Sequence, residues 1–372
     1  MDGILGGVSS STLVLFAGST LLAFLAALAV TPLVAAFARR FGLMDMPGGR
    51  RQHPEPIPRI GGLGIALAFG LAVFTFWLVD RLNGHPFLIP EEVRTPRFTL
   101  TAMAAFLGLA IGLVDDALDL RARWQMLGYF AIAAVIVTAG IRIGFINDPR
   151  GDGLIQLAPP IAIGFTVFWI VGMVNALNFI DGLDGLAAGV AAIAAVALGA
   201  TALLPAVNEP FVAWMNFTLA GALAGFLIFN FHPAKVFLGT TGVAFVGTML
   251  AVLSIFGTAK VAAALLVLGV PIIDTFYVII RRVVTGQAPF APDRGHFHHK
   301  LLDVGLSHRQ AVLLIYAITL GLGALAFVSS GRAQIYSFVG LLAVFGIAVL
   351  ALSQRSSKAE ELDPNLYPEK AE

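Results

Sequence analysis

The chain contains no cysteine. That excludes a disulfide framework and thiolate metal sites. Charge is scarce: 12% of residues are Asp, Glu, Lys or Arg, against roughly 25% in a soluble globular domain. The net charge of +1 leaves no basic excess of the kind that marks a nucleic-acid partner. The opening stretch, Met1 to Ser10, holds Asp2 and no Lys or Arg. It lacks the basic start of a signal peptide, so the first apolar run is expected to persist as a helix.

What fills the sequence instead is apolar surface. Hydrophobic residues make up 58% of the 372, too much for one water-soluble core of this length, so lipid is the expected solvent. A helix needs roughly 20 apolar residues to cross the hydrocarbon. Eleven apolar runs qualify as candidates, near 11–37, 61–80, 99–114, 127–146, 159–175, 186–205, 211–230, 242–257, 260–280, 311–329 and 333–353. The expected fold is all-α: a polytopic membrane helix bundle of about 11 transmembrane helices over residues 1–353. A polar, disordered tail with Pro364 and Pro368 is expected to follow from 354 to 372. Basic residues concentrate in alternate loops, around Arg39 to Arg59, Arg121 and Arg123, Lys235, Arg281 to Arg309, and Arg355 to Lys370. The positive-inside rule makes those loops cytoplasmic. An odd span count then puts the N-terminus outside and the C-terminus inside.

Five polar segments interrupt the apolar background, and all fall on the side read as cytoplasmic. The first runs from Asp45 through Arg50, Arg51 and His53 to Arg59, Gly61 and Gly62. Such a basic loop can bind phosphate, or simply orient the chain beside anionic lipid. The second is Asp115-Asp116-Ala-Leu-Asp119 with Arg121 and Arg123. On a helix these carboxylates lie on nearby faces, and a divalent cation would relieve their repulsion. Mg²⁺ takes oxygen ligands and is commonly shared with substrate phosphates. The third, Asn175-Ala-Leu-Asn178-Phe-Ile-Asp181-Gly-Leu-Asp184-Gly185, repeats polar residues every three positions, roughly on one helical face. The fourth joins His232-Pro233-Ala-Lys235 to Gly239-Thr240-Thr241-Gly242. A tight turn there can present backbone N–H groups to an anion. The fifth places Arg294 before His296, His298, His299 and Lys300. Three imidazoles in four positions suit a transition metal or a phosphate clamp, and the flanking cations favour the clamp. Asp274 sits inside an apolar span, where a charge is costly to place without use. A pairing with Arg281 or Arg282 is its structural reading.

In order and spacing these segments resemble the polyprenyl-phosphate N-acetylhexosamine-1-phosphate transferases, in the branch acting on undecaprenyl phosphate and N-acetylglucosamine. The resemblance runs from about Asp45 to Arg309. It implies transfer of a sugar-1-phosphate from a UDP-N-acetylhexosamine to a polyprenyl (undecaprenyl) phosphate. UMP is released, Mg²⁺ is the cofactor with Mn²⁺ as its substitute, and cell-wall or lipopolysaccharide precursors are the product. It further implies a multi-pass protein of the inner (plasma) membrane whose active face is cytoplasmic, with a homodimer as one assembly found in the family. Position by position, Asp115, Asp116 and Asp181 take catalytic places. Asn178, Asp115 and Asp116 take the metal. Arg50, Arg51, His53, Asn175, Asp184, Lys235, Arg294, His296, His298 and His299 take the substrates.

The match breaks in the fourth segment. The family reads Gly-Asp-x-Gly-Ser, and its aspartate is a principal metal ligand. Here Thr240 stands at that aspartate and Val243 at the serine. Gln125 and Tyr129 stand where the family often has Lys and Gln. Two readings therefore remain open: a transferase with a rearranged metal shell, or a non-catalytic relative that binds polyprenyl phosphate or a partner. A transporter would need ionisable groups at mid-span, and Asp274 is the main candidate for one. An aromatic prenyltransferase would use two acidic clusters but leaves the histidines unexplained.

Overall fold

A computed structural model describes residues 10–47, 55–82, 96–151, 153–256, 260–287 and 295–362. Arg50, Arg51, His53 and Arg294, expected at the substrates, lie outside the described residues.

The described chain is almost entirely helical. Helix α1 (Ser10–Phe41) is followed by a minimal antiparallel pair, β1 (Met44–Asp45) and β2 (Ile57–Pro58). Then come α2 (Gly62–Leu82), α3 (Pro96–Leu118) and α4 (Ala122–Thr138). A short hairpin, β3 (Phe145–Asn147) with β4 (Leu154–Gln156), leads into α5 (Pro159–Ile180), α6 (Leu186–Ala202) and α7 (Pro210–Asn230). The remainder is α8 (Gly239–Ile255), α9 (Lys260–Val267), α10 (Gly269–Val284), α11 (Phe297–Asp303), α12 (His308–Val328) and α13 (Arg332–Leu362).

Seven of these helices are long and apolar enough to cross a membrane, and an eighth span is formed if the bent pair α9–α10 counts as one. Three of the eleven expected spans are shorter helices of 17 residues: α4, α6 and α8. At 1.5 Å per residue each covers about 25 Å, less than a full hydrocarbon crossing. The run read as one span at 260–280 is broken between α9 and α10 with a bend of 77°. Pro271 explains the position of the break: it has no N–H to offer the carbonyl of Val267, four residues earlier. Helix α13 continues to Leu362, past the point where the tail was expected to begin.

Leu33, Leu71, Phe74, Phe106, Ile161, Leu320 and Ile347 are exposed on the outer helices. Apolar surface of that extent faces lipid in an integral membrane protein. Lipid supplies little hydrophobic drive between helices, so close backbone approach and buried hydrogen bonds join them. A Cβ on Gly221 would lie 2.2 Å from the Thr20 carbonyl oxygen, and one on Gly225 2.4 Å from that of Phe24, so α7 meets α1 almost backbone to backbone. The same pair is tied by Trp214 Nε1 donating to Ser19 Oγ at 2.9 Å, with Ser19 Oγ 3.0 Å from Thr218 Oγ1. Helix α8 is the axis of the bundle. All its residues from Thr241 to Ile255 are buried, and it packs on α2, α3 and α5.

Candidate active site

The ends of α1, α3, α5 and α7 meet the starts of α2, α4, α6, α8 and α12 at one end of the bundle, and the polar segments meet there too. The junction is built on backbone hydrogen bonds between the first and fourth segments. Phe237 N–H donates to Pro58 O at 2.8 Å, Gly61 N–H to Phe237 O at 3.0 Å and Gly62 N–H to Leu238 O at 2.9 Å.

Asp116 completes the junction. Its Oδ1 accepts from the Thr240 N–H at 3.0 Å, and its Oδ2 from the Thr241 N–H at 2.9 Å and Thr241 Oγ1 at 2.6 Å. Arg59 Nε stands 3.8 Å from Oδ1. The Gly-Thr-Thr-Gly segment is therefore not an open turn awaiting an anion. It is the first turn of α8, and a carboxylate from α3 already occupies its amides. An N-terminal turn has four N–H groups without an intrahelical partner and a partial positive charge, so a carboxylate is the natural acceptor. Gly239 has φ of +68°, and a Cβ there would lie 1.9 Å from Arg59 O and 2.6 Å from Asp116 Oδ2. Only glycine fits both the backbone and the gap. A carboxylate offers about four lone-pair positions. Three on Asp116 are taken.

Asp115 is also engaged. Its Oδ1 accepts from Leu120 N–H at 3.1 Å and from Gln125 Nε2 at 2.8 Å, which fixes the α3–α4 corner. Asp119 lies just past α3 with φ of +47°, and Arg59 Nη1 donates to its Oδ1 at 2.7 Å.

Asp181 differs from these. It follows the last residue of α5, is half-buried, and accepts no hydrogen bond at its carboxylate from the described residues. Burial foremost, then the charges of Asp116 and Asp184, push its pKa up to about 7. Asn178, one turn earlier on α5, is half-buried beside it in sequence. Asn175 is placed elsewhere. It is about 9 Å deeper along the helix than Asp181, buried against α4, with Nδ2 donating to Val171 O at 2.8 Å and lying 3.5 Å from Met126 Sδ. Asp184 is turned to the fourth segment: His232 Nδ1 is 2.8 Å from its Oδ2, which also accepts from the Ala234 N–H at 3.0 Å. Lys235 is exposed.

The histidine segment closes the far side. His296 and His298 are buried and His299 is half-buried. Asp274 holds the segment from α10: its Oδ2 is 2.9 Å from His296 Nδ1, and its Oδ1 accepts from Phe297 N–H at 2.8 Å. That places the intramembrane carboxylate on a histidine. The His296 ring lies 5.4 Å from that of Phe179 and is stacked on His298 at 5.7 Å. His298 Nε2 is buried with no hydrogen-bond partner among the described residues. It lies where a Cβ on Gly182 would be only 2.5 Å away. Burial, with His299, His296 and His308 nearby, holds the His298 imidazole well below its ordinary pKa, so it is neutral.

An apolar groove of about 410 Å³ opens between α3 and α4 beside Asp115, lined by Ala110, Ile111, Val114, Leu120, Trp124 and Gly128. Asp181, Asn178, Asp115 and the remaining Asp116 position carry carboxylate and amide oxygens, the donor type that Mg²⁺ prefers. The charges of Asp116 and Asp184 bear on Asp181, a divalent cation would offset them, and the oxygen donors are of the chemical type that such an ion takes. Sequence reading missed Thr241 and Arg59 as the partners of Asp116, and Asp274 as the holder of His296. These are tertiary contacts with no local signature.

The profile described as glycosyl transferase family 4 matches residues 98–258. A Bacillus subtilis protein described as a probable undecaprenyl-phosphate N-acetylglucosaminyl 1-phosphate transferase is 35% identical over 304 residues, covering 80% of each chain. A decaprenyl-phosphate N-acetylglucosaminephosphotransferase of Mycolicibacterium smegmatis is 34% identical over 357 residues, covering 87% of this chain and 85% of that one. An undecaprenyl-phosphate alpha-N-acetylglucosaminyl 1-phosphate transferase of Pasteurella multocida is 31% identical over 310 residues, covering 80% and 82%.

Proposed function

This chain belongs to glycosyl transferase family 4, and on that premise we propose that it moves N-acetylglucosamine 1-phosphate from its UDP derivative onto a polyprenyl phosphate, releasing UMP. The observation that supports it most is the position of Asp181. This uncommitted carboxylate feels the charge of Asp116, which holds the α8 joint, and is followed by Gly182, against which the histidine segment packs.

The groove suits an isoprenoid tail, which stays in the bilayer while its phosphate reaches the polar rim. A phosphate monoester has a second pKa near 6, so the acceptor is largely dianionic at neutral pH. An acceptor oxygen bonds to the β-phosphorus as the bond from that phosphorus to the UMP oxygen breaks. Alignment and charge neutralisation then matter more than a general base. Asp181, Asn178, Asp115 and Asp116 would hold a divalent cation, Mg²⁺ or Mn²⁺, which offsets diphosphate charge. Lys235 and His299 stand at the rim to meet phosphate oxygens. Neutral His298 can hydrogen-bond to donor or sugar without adding charge. Asp274 fixes the ring orientation of His296. The rim is assigned to the cytoplasmic face of the plasma membrane, with the N-terminus outside.

Thr240 favours a second reading. At the family's metal-binding aspartate stands a neutral hydroxyl, and a protein lacking that charge could bind polyprenyl phosphate without turning over. The test is UMP release by purified protein given UDP-N-acetylglucosamine, polyprenyl phosphate and Mg²⁺ or Mn²⁺, beside Thr240→Asp and Asp181→Asn. Turnover that needs both substrates and is lost in Asp181→Asn is expected. Turnover only in Thr240→Asp establishes the binding protein. No transfer by any form, with a panel of UDP-sugars, defeats the transferase.

A further inference from the structure

One cluster of metal-ligating side chains is not used by that reaction. Asp184 lies in the α5–α6 turn, His232 in the α7–α8 loop and His308 at the first turn of α12. One ligand atom from each lies within 4.8 Å of the other two, and all three residues are half-buried. The His232 and His308 rings are stacked, with centroids 4.1 Å apart and planes at 16°. His308 Nε2 is buried and has no hydrogen-bond partner among the described residues. An imidazole nitrogen sealed from water and unpaired beside a second imidazole and a carboxylate needs an explanation, because buried polar atoms are ordinarily satisfied.

We propose that Asp184, His232 and His308 form a second metal site, which takes a borderline transition cation such as Zn²⁺ in preference to Mg²⁺. Two imidazoles and a carboxylate, with a fourth position open to water, are a common donor set for zinc. Nitrogen ligands select the later first-row metals over magnesium, which keeps to oxygen. The site is thus chemically distinct from the oxygen donors around Asp181. One pair of donors already stands close to a chelating distance. His232 Nδ1 and Asp184 Oδ2 are 2.8 Å apart, whereas tetrahedral ligands at about 2.0–2.1 Å from zinc stand about 3.3 Å apart. Binding would open that pair by about half an ångström, draw in any separation near the 4.8 Å bound, and turn the stacked rings so that their nitrogens converge. Outer contacts hold the frame: Ala234 N–H donates to Asp184 Oδ2, Arg309 donates to His232 O at 3.0 and 3.2 Å, and Tyr316 OH donates to Gly185 O. Such partners orient metal ligands and tune their basicity.

The cation would fasten three otherwise separate connections. The loop carrying His232 continues through Lys235 into the first turn of α8, so the site pins the approach to the candidate active site. The cation takes Asp184 as a ligand of this site and not as an open contact to the donor.

The test uses full-length, tag-free protein in detergent, stripped by a chelator and kept in millimolar Mg²⁺. Co²⁺ serves as the probe through its d–d absorption, and Zn²⁺ through calorimetry. One equivalent is expected, with an X-ray absorption spectrum showing two imidazoles. His232→Gln and His308→Gln should each weaken binding about 10–100-fold, whereas His299→Gln, in the other histidine group, should not. Zn²⁺ should raise the melting temperature of the parent and leave that of His308→Gln unmoved. Misfolding is excluded if the variants elute as the parent does in gel filtration. The proposal is overturned by no binding, by displacement of Co²⁺ by Mg²⁺, or by binding that survives both His232→Gln and His308→Gln.

Discussion

Asp116 and Asp181 show how little a residue type reveals about its use. Both are aspartates beside apolar helices, yet one is a structural acceptor and the other is an uncommitted charge. Thr241→Val removes a 2.6 Å hydrogen bond to the buried Asp116 carboxylate. A hydrogen bond to a charged group is worth about 1.5–3 kcal/mol, and a loss of that order should appear as a lower melting temperature in detergent. Asp181 predicts a pH effect. Its raised pKa means that below about 7 it holds a proton, which a cation must displace. Metal affinity should therefore rise roughly tenfold per unit toward pH 7 and level off above it. Calorimetric Mg²⁺ or Mn²⁺ titration should show that slope in the parent and a shallower one in Asp181→Asn. That Asp115, Asp116 and Asp181 stand at the lips of apolar runs was legible in the sequence. The partners that distinguish them were not, since Thr241 is 125 residues from Asp116.

The helices place these residues by meeting at glycines. A Cβ on Gly112 would lie 2.4 Å from Thr241 Cα and 2.5 Å from Thr240 O, and one on Gly62 would lie 2.0 Å from the backbone of Gly242. These neighbours are backbone atoms, with no flexible side chain to swing aside. Gly112→Ala should force α3 away from α8 at a cost of about 1–3 kcal/mol and lower activity with it. Gly70→Ala is the control, because nothing lies within 4 Å of its added methyl, and its melting temperature should not fall. Helix positions were readable from apolar runs, because each run must satisfy its own backbone within lipid. The break between α9 and α10 was not read, although Gly269 and Pro271 signal it locally. The short strands were missed as well: β1 and β2 are two residues each, too short to show a period of two.

Across the whole molecule, the described parts of the polar segments expected at one rim meet at one end of the bundle. Their common side of the membrane is open to direct measurement, because the chain has no cysteine of its own. Single cysteines at Lys235 and Asp119 should react with a membrane-impermeant thiol reagent only after cells are opened. One at Ile155, on the β3–β4 hairpin, should react in intact cells. The reverse pattern would invert the assigned topology. Convergence was legible because a bilayer has only two polar faces and basic residues mark one of them. Which segments touch was not, since contacts such as Asp184 with His232 depend on how helices are ordered around α8.

The capping of α8 has an experimental consequence. Helix α12 carries its own N-terminal acceptor in Ser307; α8 borrows its acceptor from a segment made 124 residues earlier. The first turn of the central pillar is therefore finished only once α3 has docked, which couples insertion of the two halves of the chain. An inactive Asp116 variant would report a failed joint before it reported a missing ligand, and its assembly must be measured before its chemistry is interpreted.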